Sequence, residues 1–131
     1  MRYLLDTVIF LWSVGAQEKL NKKARELLVN PGSEIHLSAA SSWEISLKIA
    51  IGKLKLPEPA SRFVPHQLQL WGIQPLLITH SHALAAGELP PHHRDPFDRM
   101  LIAQARVERL VILTADKLFS KYDVETLWCG N

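Results

Sequence analysis

Apolar residues recur along the chain in two rhythms, short unbroken runs and helical stripes, and their alternation sketches a fold. Tyr3-Leu4-Leu5, Ile35-His36-Leu37, Leu76-Leu77-Ile78 and Leu110-Val111-Ile112-Leu113 are short apolar runs, the pattern of parallel strands covered on both faces. Val124 to Trp128 is a candidate for a final strand. Between the runs the period changes. Val8 to Val14 reads as a first helix, with Asp6 or Thr7 to cap it and Gly15 to end it. A second helix, about Asn21 to Val29, gathers Leu20, Ala24, Leu27 and Leu28 on one face before Asn30-Pro31-Gly32. Ser41-Ser42-Trp43-Glu44 has the form of a capping box, which predicts a helix with the stripe Trp43, Leu47, Ala50, Ile51 and Leu54. Phe63 to Trp71 predicts a helix closed by Gly72, His80 to Ala86 a short one ending at Gly87, and Lys117 to Lys121 a short helix or turn.

The strongest single signal is Asp95-Pro96. Asp accepts hydrogen bonds from free N–H groups at an N-cap, and proline at the first helical position lacks the N–H that would otherwise be orphaned. In the helix that follows, Asp98, Leu101, Ile102 and Ala105 share one stripe. A carboxylate at the head of a core-facing stripe must meet a cation, a donor or a water-filled cleft, because desolvating it unpaired costs several kcal/mol. Strands alternating with helices imply an α/β fold around a parallel sheet with right-handed crossovers, with residues 1–131 as a single domain.

Composition narrows the picture without choosing a function. Hydrophobic residues at 47% and charged residues at 21% are globular proportions, which excludes a disordered chain. A net charge of +2 is too small to argue for a polyanionic partner, so that argument must come from where the charges lie. Cys129 is the only cysteine, so no disulfide forms within the chain and a reducing cytoplasm suits it. The apolar run at the start is broken by Asp6 and too short to span a bilayer, which predicts no membrane association.

In open parallel sheets ligands bind beyond the carboxyl ends of the strands. Asp6, Glu44 and Asp116 follow strands there, and Asp98 can face the same edge. Carboxylates gathered in one cleft repel one another, and a hard divalent cation, Mg²⁺ or Mn²⁺ rather than zinc, is the simplest way to stabilise them. Such a cation acidifies water and neutralises phosphoryl oxygens, which points to phosphate chemistry. Capping accounts for each acid taken singly, and Glu44 can also pair with Lys48. It does not account for acids that end two strands while another heads a core stripe. Asp95 suits the cap and otherwise a place behind the ligands, and Thr114, two residues before Asp116, can donate to a carboxylate. Lys48, Lys53, Lys55, Arg94 and Arg99 flank the acids and could neutralise a nucleic-acid backbone or simply form a solvated face. His92 and His93 point in divergent directions with no further ligand at metal spacing, so they read as a loop near phosphate.

Leu4-Leu5-Asp6-Thr7, Ser38-Ala39-Ala40-Ser41-Ser42-Trp43-Glu44, Asp95-Pro96-Phe97-Asp98-Arg99 with Leu101-Ile102-Ala103-Gln104-Ala105, and Leu113-Thr114-Ala115-Asp116 together resemble the PIN domain, and within it the VapC-type ribonuclease toxins. The resemblance covers essentially the whole chain. It implies an α/β/α sandwich, Mg²⁺- or Mn²⁺-dependent endoribonuclease activity, a cognate antitoxin, a homodimer and a cytoplasmic location. It also implies that Asp6, Glu44, Asp98 and Asp116 form the acidic quartet that holds the metal and performs catalysis, with Asp95 a rival to Asp98 for the third position. A nuclease acting on DNA or on structured substrates and an inert interaction module of the same fold are the alternatives. A receiver-like module would need an Asp after the third strand, where Thr79-His80 stands instead.

Overall fold

Strand β1 (Arg2–Leu5) lies at the middle of a five-stranded parallel sheet, with β2 (Glu34–Ser38) and β3 (Gln74–Leu76) on one side and β4 (Val111–Thr114) and β5 (Thr126–Trp128) on the other. The computed structural model describes residues 1–131. The register pairs Leu4 with Ile112 and Leu5 with Leu113. Because strand side chains alternate between faces, Leu5, Leu37 and Leu113 enter one core and Leu4 and Ile112 the other. That double burial is why these strands read as unbroken apolar runs.

Helices cover both faces. On the first, α1 (Thr7–Gly15), α2 (Lys22–Val29), α3 (Ala39–Ala50) and α4 (Ala60–Trp71) supply Ile9, Phe10, Ala24, Leu28, Ile45, Phe63 and Val64. On the second, α6 (Pro96–Glu108) supplies Leu101, Ile102, Ala103 and Ala105, and packs against α5 (His80–Glu88). The result is an α/β/α sandwich. No helix is long and apolar enough to cross a membrane. The chain leaves β1 towards β2 and later returns to β1's other side as β4, so the direction of winding reverses between β1 and β4. The crevice beyond their carboxyl ends is where an open sheet of this kind binds ligands.

Several predicted boundaries move. Helix α3 begins not at the Ser41 capping box but at Ser38, whose hydroxyl accepts the Ala40 N–H at 3.0 Å. Ser38 ends β2 and is followed by Ala39-Ala40, good helix formers, so the helix has already nucleated when Ser41 is reached. The predicted apolar stripe is also displaced. Trp43, Leu47 and Ile51 are 61%, 41% and 64% exposed, whereas Ser41, Glu44 and Ile45 are buried. The third strand is Gln74–Leu76 rather than Leu76–Ile78, and Leu77 lies 73% exposed beyond it. It is an edge strand, a setting that tolerates Pro75. Helix α4 starts three residues earlier than predicted, at Ala60, and stops at Gly72, whose φ of 67° is the left-handed cap that glycine supplies at no steric cost. Helix α5 runs past Gly87 to Glu88, and its Thr79 and His82 form a reciprocal cap at the opposite end.

Candidate metal centre

Asp6 stands at the N-cap of α1, but its side chain makes no cap bond. Its backbone N–H continues the sheet by donating to the Leu113 carbonyl at 2.9 Å, which sets the side chain beside β4. There Asp6 Oδ2 accepts the Thr114 hydroxyl at 2.8 Å, and the Thr114 oxygen in turn accepts the Asp116 N–H at 2.9 Å. Thr114 therefore ties two acids to the end of one strand. Asp116 also caps the short 3-10 turn Lys117–Lys121, its Oδ1 accepting the Leu118 N–H at 2.9 Å.

Glu44 arrives from α3. The Thr7 hydroxyl donates to Ser41 Oγ at 2.8 Å, holding α1 against α3 one turn before Glu44. Lys48, one turn later, donates to Glu44 Oε2 at 2.7 Å, which is the expected i, i+4 pair. Glu44 Oε1 is buried with no hydrogen-bond partner. Asp98 comes from the first turn of α6, which starts as predicted: Asp95 Oδ1 accepts the N–H groups of Phe97 (2.8 Å) and Asp98 (3.2 Å). Phe97 meets Trp43 edge to face, with ring centroids 5.1 Å apart, and so brings the two acid-bearing helices together.

The four predicted acids thus share one cleft of about 240 Å³, with Val8, Trp12 and Lys48 on its wall and Asp95 at its rim. Hollows of about 380 and 410 Å³ lie elsewhere, but the first sets Asp123 and Glu125 beside Arg106 and Arg109, and the second holds the single carboxylate Glu88. The electrostatics single out the acidic cleft. Burial raises the Asp98 carboxyl to about 8, helped by the neighbouring Asp6, Asp95, Glu44 and Asp116. Burial likewise raises Asp6 to about 6, with Glu44 and Asp116 adding to it and the Thr114 hydroxyl opposing it. Lys48 is pushed up, first by its bond to Glu44 and then by the fields of the acids. A buried, partnerless carboxylate oxygen beside two carboxyls that resist ionisation suits a bound divalent cation, which would satisfy the one and ionise the others.

Other predicted residues fare differently. Thr114 and Lys48 stand behind Asp6 and Glu44 as positioning donors, and Asp95 is the helix cap. Lys53 and Arg94 are exposed, and neither lines the acidic cleft. Arg99 is not free to meet RNA: its guanidinium donates to the carbonyls of Ala86, Leu89, Pro90 and His93 at 2.8 to 3.3 Å. Ala86 lies in the last turn of α5, and Leu89, Pro90 and His93 lie in the loop before α6, so Arg99, one turn into that helix, ties the loop to the end of α5. His93, read from the sequence only as part of a loop, enters the site: Nε2 lies 2.9 Å from Asp98 Oδ2 and 3.3 Å from Asp116 Oδ2. Its partner in the doublet, His92, turns away and meets the Tyr122 ring edge to face. Divergence of the pair was legible; which of the two faces the acids depends on the fold.

A family model described as PIN domain matches residues 3–125. Over 60 residues the chain is 38% identical to Ribonuclease VapC16 of Mycobacterium tuberculosis (strain ATCC 25618 / H37Rv), a match that spans 46% of this chain and 43% of that protein. The matched stretch is therefore less than half the length of that relative. Among solved structures, a chain of VapBC2 from Rickettsia felis, crystallised with a DNA fragment from its promoter, superposes with a TM-score of 0.73 at 14% identity, covering 98% of this chain and 99% of that one. A chain of a toxin-antitoxin complex from Klebsiella pneumoniae gives 0.63 at 17% identity, with 96% of each chain covered. At these identities the structural likeness concerns the fold.

Proposed function

This chain belongs to the PIN domain family, and from that premise we propose that it is a divalent-metal-dependent endoribonuclease, the toxin of a toxin–antitoxin pair. The observation that carries the reading is the convergence of Asp6, Glu44, Asp98 and Asp116 from four different elements around a buried, unpartnered Glu44 Oε1. The similarity to a ribonuclease over 60 residues supports the RNA substrate, and the likeness to a toxin-antitoxin complex supports the partner.

In this reading the four carboxylates hold Mg²⁺ or Mn²⁺, since oxygen donors suit hard cations. Bound there, the cation supplies Lewis acidity towards a phosphoryl oxygen and makes water a better nucleophile. The chain's own residues do the positioning. The Thr114 hydroxyl keeps Asp6 aimed past the end of β1, and Lys48 keeps Glu44 from swinging out of the cleft. One of the carboxylates orients the attacking water for in-line displacement at phosphorus. Lys53 and Arg94 supply counter-charge to the RNA backbone. The antitoxin lies on the early helices, where Leu11, Trp12 and Val14 face Leu54, Leu56 and Phe63 across an apolar hollow of about 470 Å³. The protein works as a cytoplasmic homodimer.

The test is cleavage of a mixed RNA pool by purified protein freed of any partner, in Mg²⁺ or Mn²⁺ and in EDTA, beside Asp98→Asn. Metal-dependent cuts that vanish in the variant are expected. A folded, metal-loaded protein that cuts DNA and leaves RNA intact would replace the substrate, and one that cuts neither would leave an interaction module.

A further inference from the structure

His93 is held in place on both its backbone and its ring. Its backbone N–H donates to Tyr122 Oη at 2.8 Å, and that hydroxyl donates to the Pro90 carbonyl at 2.8 Å. Arg99 grips the same loop through the Leu89, Pro90 and His93 carbonyls and ties it to α5 through that of Ala86. The imidazole meets the buried Phe119 ring edge to face, with centroids 6.0 Å apart. Only then does the ring reach the acids, with a side-chain exposure of 10%.

By distance alone, His93 Nε2, Asp98 Oδ2 and Asp116 Oδ2 could be three ligands of one ion, since their atoms lie within 4.8 Å of one another. Separations of 2.9 and 3.3 Å from Nε2 come close to the edge of an octahedron with metal–ligand bonds of about 2.1 Å. The other side of the ring decides the matter. Nδ1 accepts the Asp95 backbone N–H at 3.2 Å, so its lone pair is engaged. The neutral ring must then carry its proton on Nε2, which has no lone pair left for a metal. A ligating histidine shows the reverse arrangement, with its second nitrogen donating to a carboxylate, carbonyl or water. Here Nε2–H is directed at Asp116 Oδ2, with Asp98 Oδ2 alongside.

We propose that His93 is a positioning residue that steadies Asp116 and Asp98 through Nε2–H from outside the cation's coordination sphere, with Arg99 and Tyr122 clamping its loop for that purpose. The proposal rests on the reading of the four acids as a cation site. It completes a pattern in which Asp6, Glu44 and Asp116 each accept a hydrogen bond from a dedicated side chain, Thr114, Lys48 and His93. It also keeps the donor set all-oxygen, which favours Mg²⁺ and Mn²⁺ over zinc.

Long-range ¹H–¹⁵N correlation spectra of the full chain read the ring directly. The Nε2-protonated pattern is expected both in EDTA and at saturating Mg²⁺. A switch to the Nδ1-protonated pattern on adding Mg²⁺ would make His93 a ligand and overturn the proposal while keeping the cation site. No Mg²⁺ binding at all by the folded wild type would remove the cation site, and the proposal with it. Calorimetric Mg²⁺ titration of two variants separates positioning from packing. His93→Leu, which removes the donor, should weaken binding about tenfold, and His93→Gln, which still offers an N–H, should stay within about threefold of wild type. Equal losses in the two, with amide spectra showing both folded, would reduce His93 to packing and overturn the proposal.

Discussion

The two ends of the sheet treat the same kind of side chain in opposite ways. At the amino ends of the strands, Arg2 opens β1 directly opposite Glu34, which opens β2, and their side chains meet at 2.8 Å. Arg2 also donates to the Glu108 carbonyl at 2.9 Å. Glu34 is accordingly held below the ordinary carboxylate range, chiefly by the hydrogen bond from Arg2. At the carboxyl ends, four residues further along β1, Asp6 and Asp98 are raised to about 6 and about 8 by burial and by one another's neighbours. One end is neutralised within the chain. The other carries a surplus of negative charge that only something from outside can balance, and that asymmetry is the physical content of a cation site.

The comparison breaks most visibly if the surplus is removed. Asp6→Asn keeps an oxygen to accept the Thr114 hydroxyl but withdraws one buried charge. RNA cleavage in saturating Mg²⁺ should fall by roughly a thousandfold. In EDTA at pH 8 the same variant should be more stable than wild type by about 1 to 2 kcal/mol, because a desolvated, repelled carboxylate has gone. Gel cleavage assays and urea unfolding measure the two effects. A variant that loses both activity and stability would instead make Asp6 a structural residue.

A second prediction follows from the direction of the shifts. Asp6 and Asp98 in the folded protein hold protons that the unfolded chain, with ordinary carboxyls near 3.8, has already released. Between about pH 4 and pH 8 the folded state therefore binds more protons, and stability falls as pH rises. The contribution is complete below about pH 4 and gone above about pH 8. Glu34 works in the opposite sense, losing its contribution as pH falls through its lowered value. Urea midpoints in EDTA should accordingly decline from pH 5 to pH 8, and saturating Mg²⁺ should flatten or reverse the decline by favouring the ionised acids. A decline unaffected by the metal would place its origin outside the acidic cleft.

What the chain reveals on reading follows the same division. The inner strands are legible because burial on both faces leaves no freedom in their composition, and Asp95-Pro96 because capping is local chemistry. Acids that follow strands are legible as a group once the sheet is known to be parallel. The start of α3 is not, because Ser38 and Ser41 offer rival caps and the end of β2 chooses between them. Nor is the direction of α3, whose apolar Trp43 and Leu47 are exposed, as is Ile51 at its C-cap, while Ser41 and Glu44 turn inward. Periodicity assumes that the apolar stripe is the buried one, and a helix that lends its polar stripe to a site inverts the rule. Arg99 and His93 are not legible for a related reason. Their roles depend on a loop whose carbonyls and on a tyrosine whose hydroxyl, Tyr122, come from positions that sequence spacing does not connect to them.

The smallest expected effect sharpens the comparison from the neutralised end. Arg2→Gln removes the partner of Glu34 but leaves an amide that can still donate. Arg2 and Glu34 side chains are 49% and 42% exposed, so water and salt replace most of what the pair supplies. Urea unfolding of the variant should show only a slight loss at low salt, and none at high salt. RNA cleavage and Mg²⁺ affinity should match wild type, because the substitution lies at the opposite end of β1 from Asp6. If Arg2→Gln instead altered Mg²⁺ affinity, the two ends would be coupled through β1, and the acidic cleft could no longer be treated as a self-contained site. Matched affinity with a salt-sensitive loss of stability would confine the surplus charge, and the chemistry that depends on it, to the carboxyl ends of the strands.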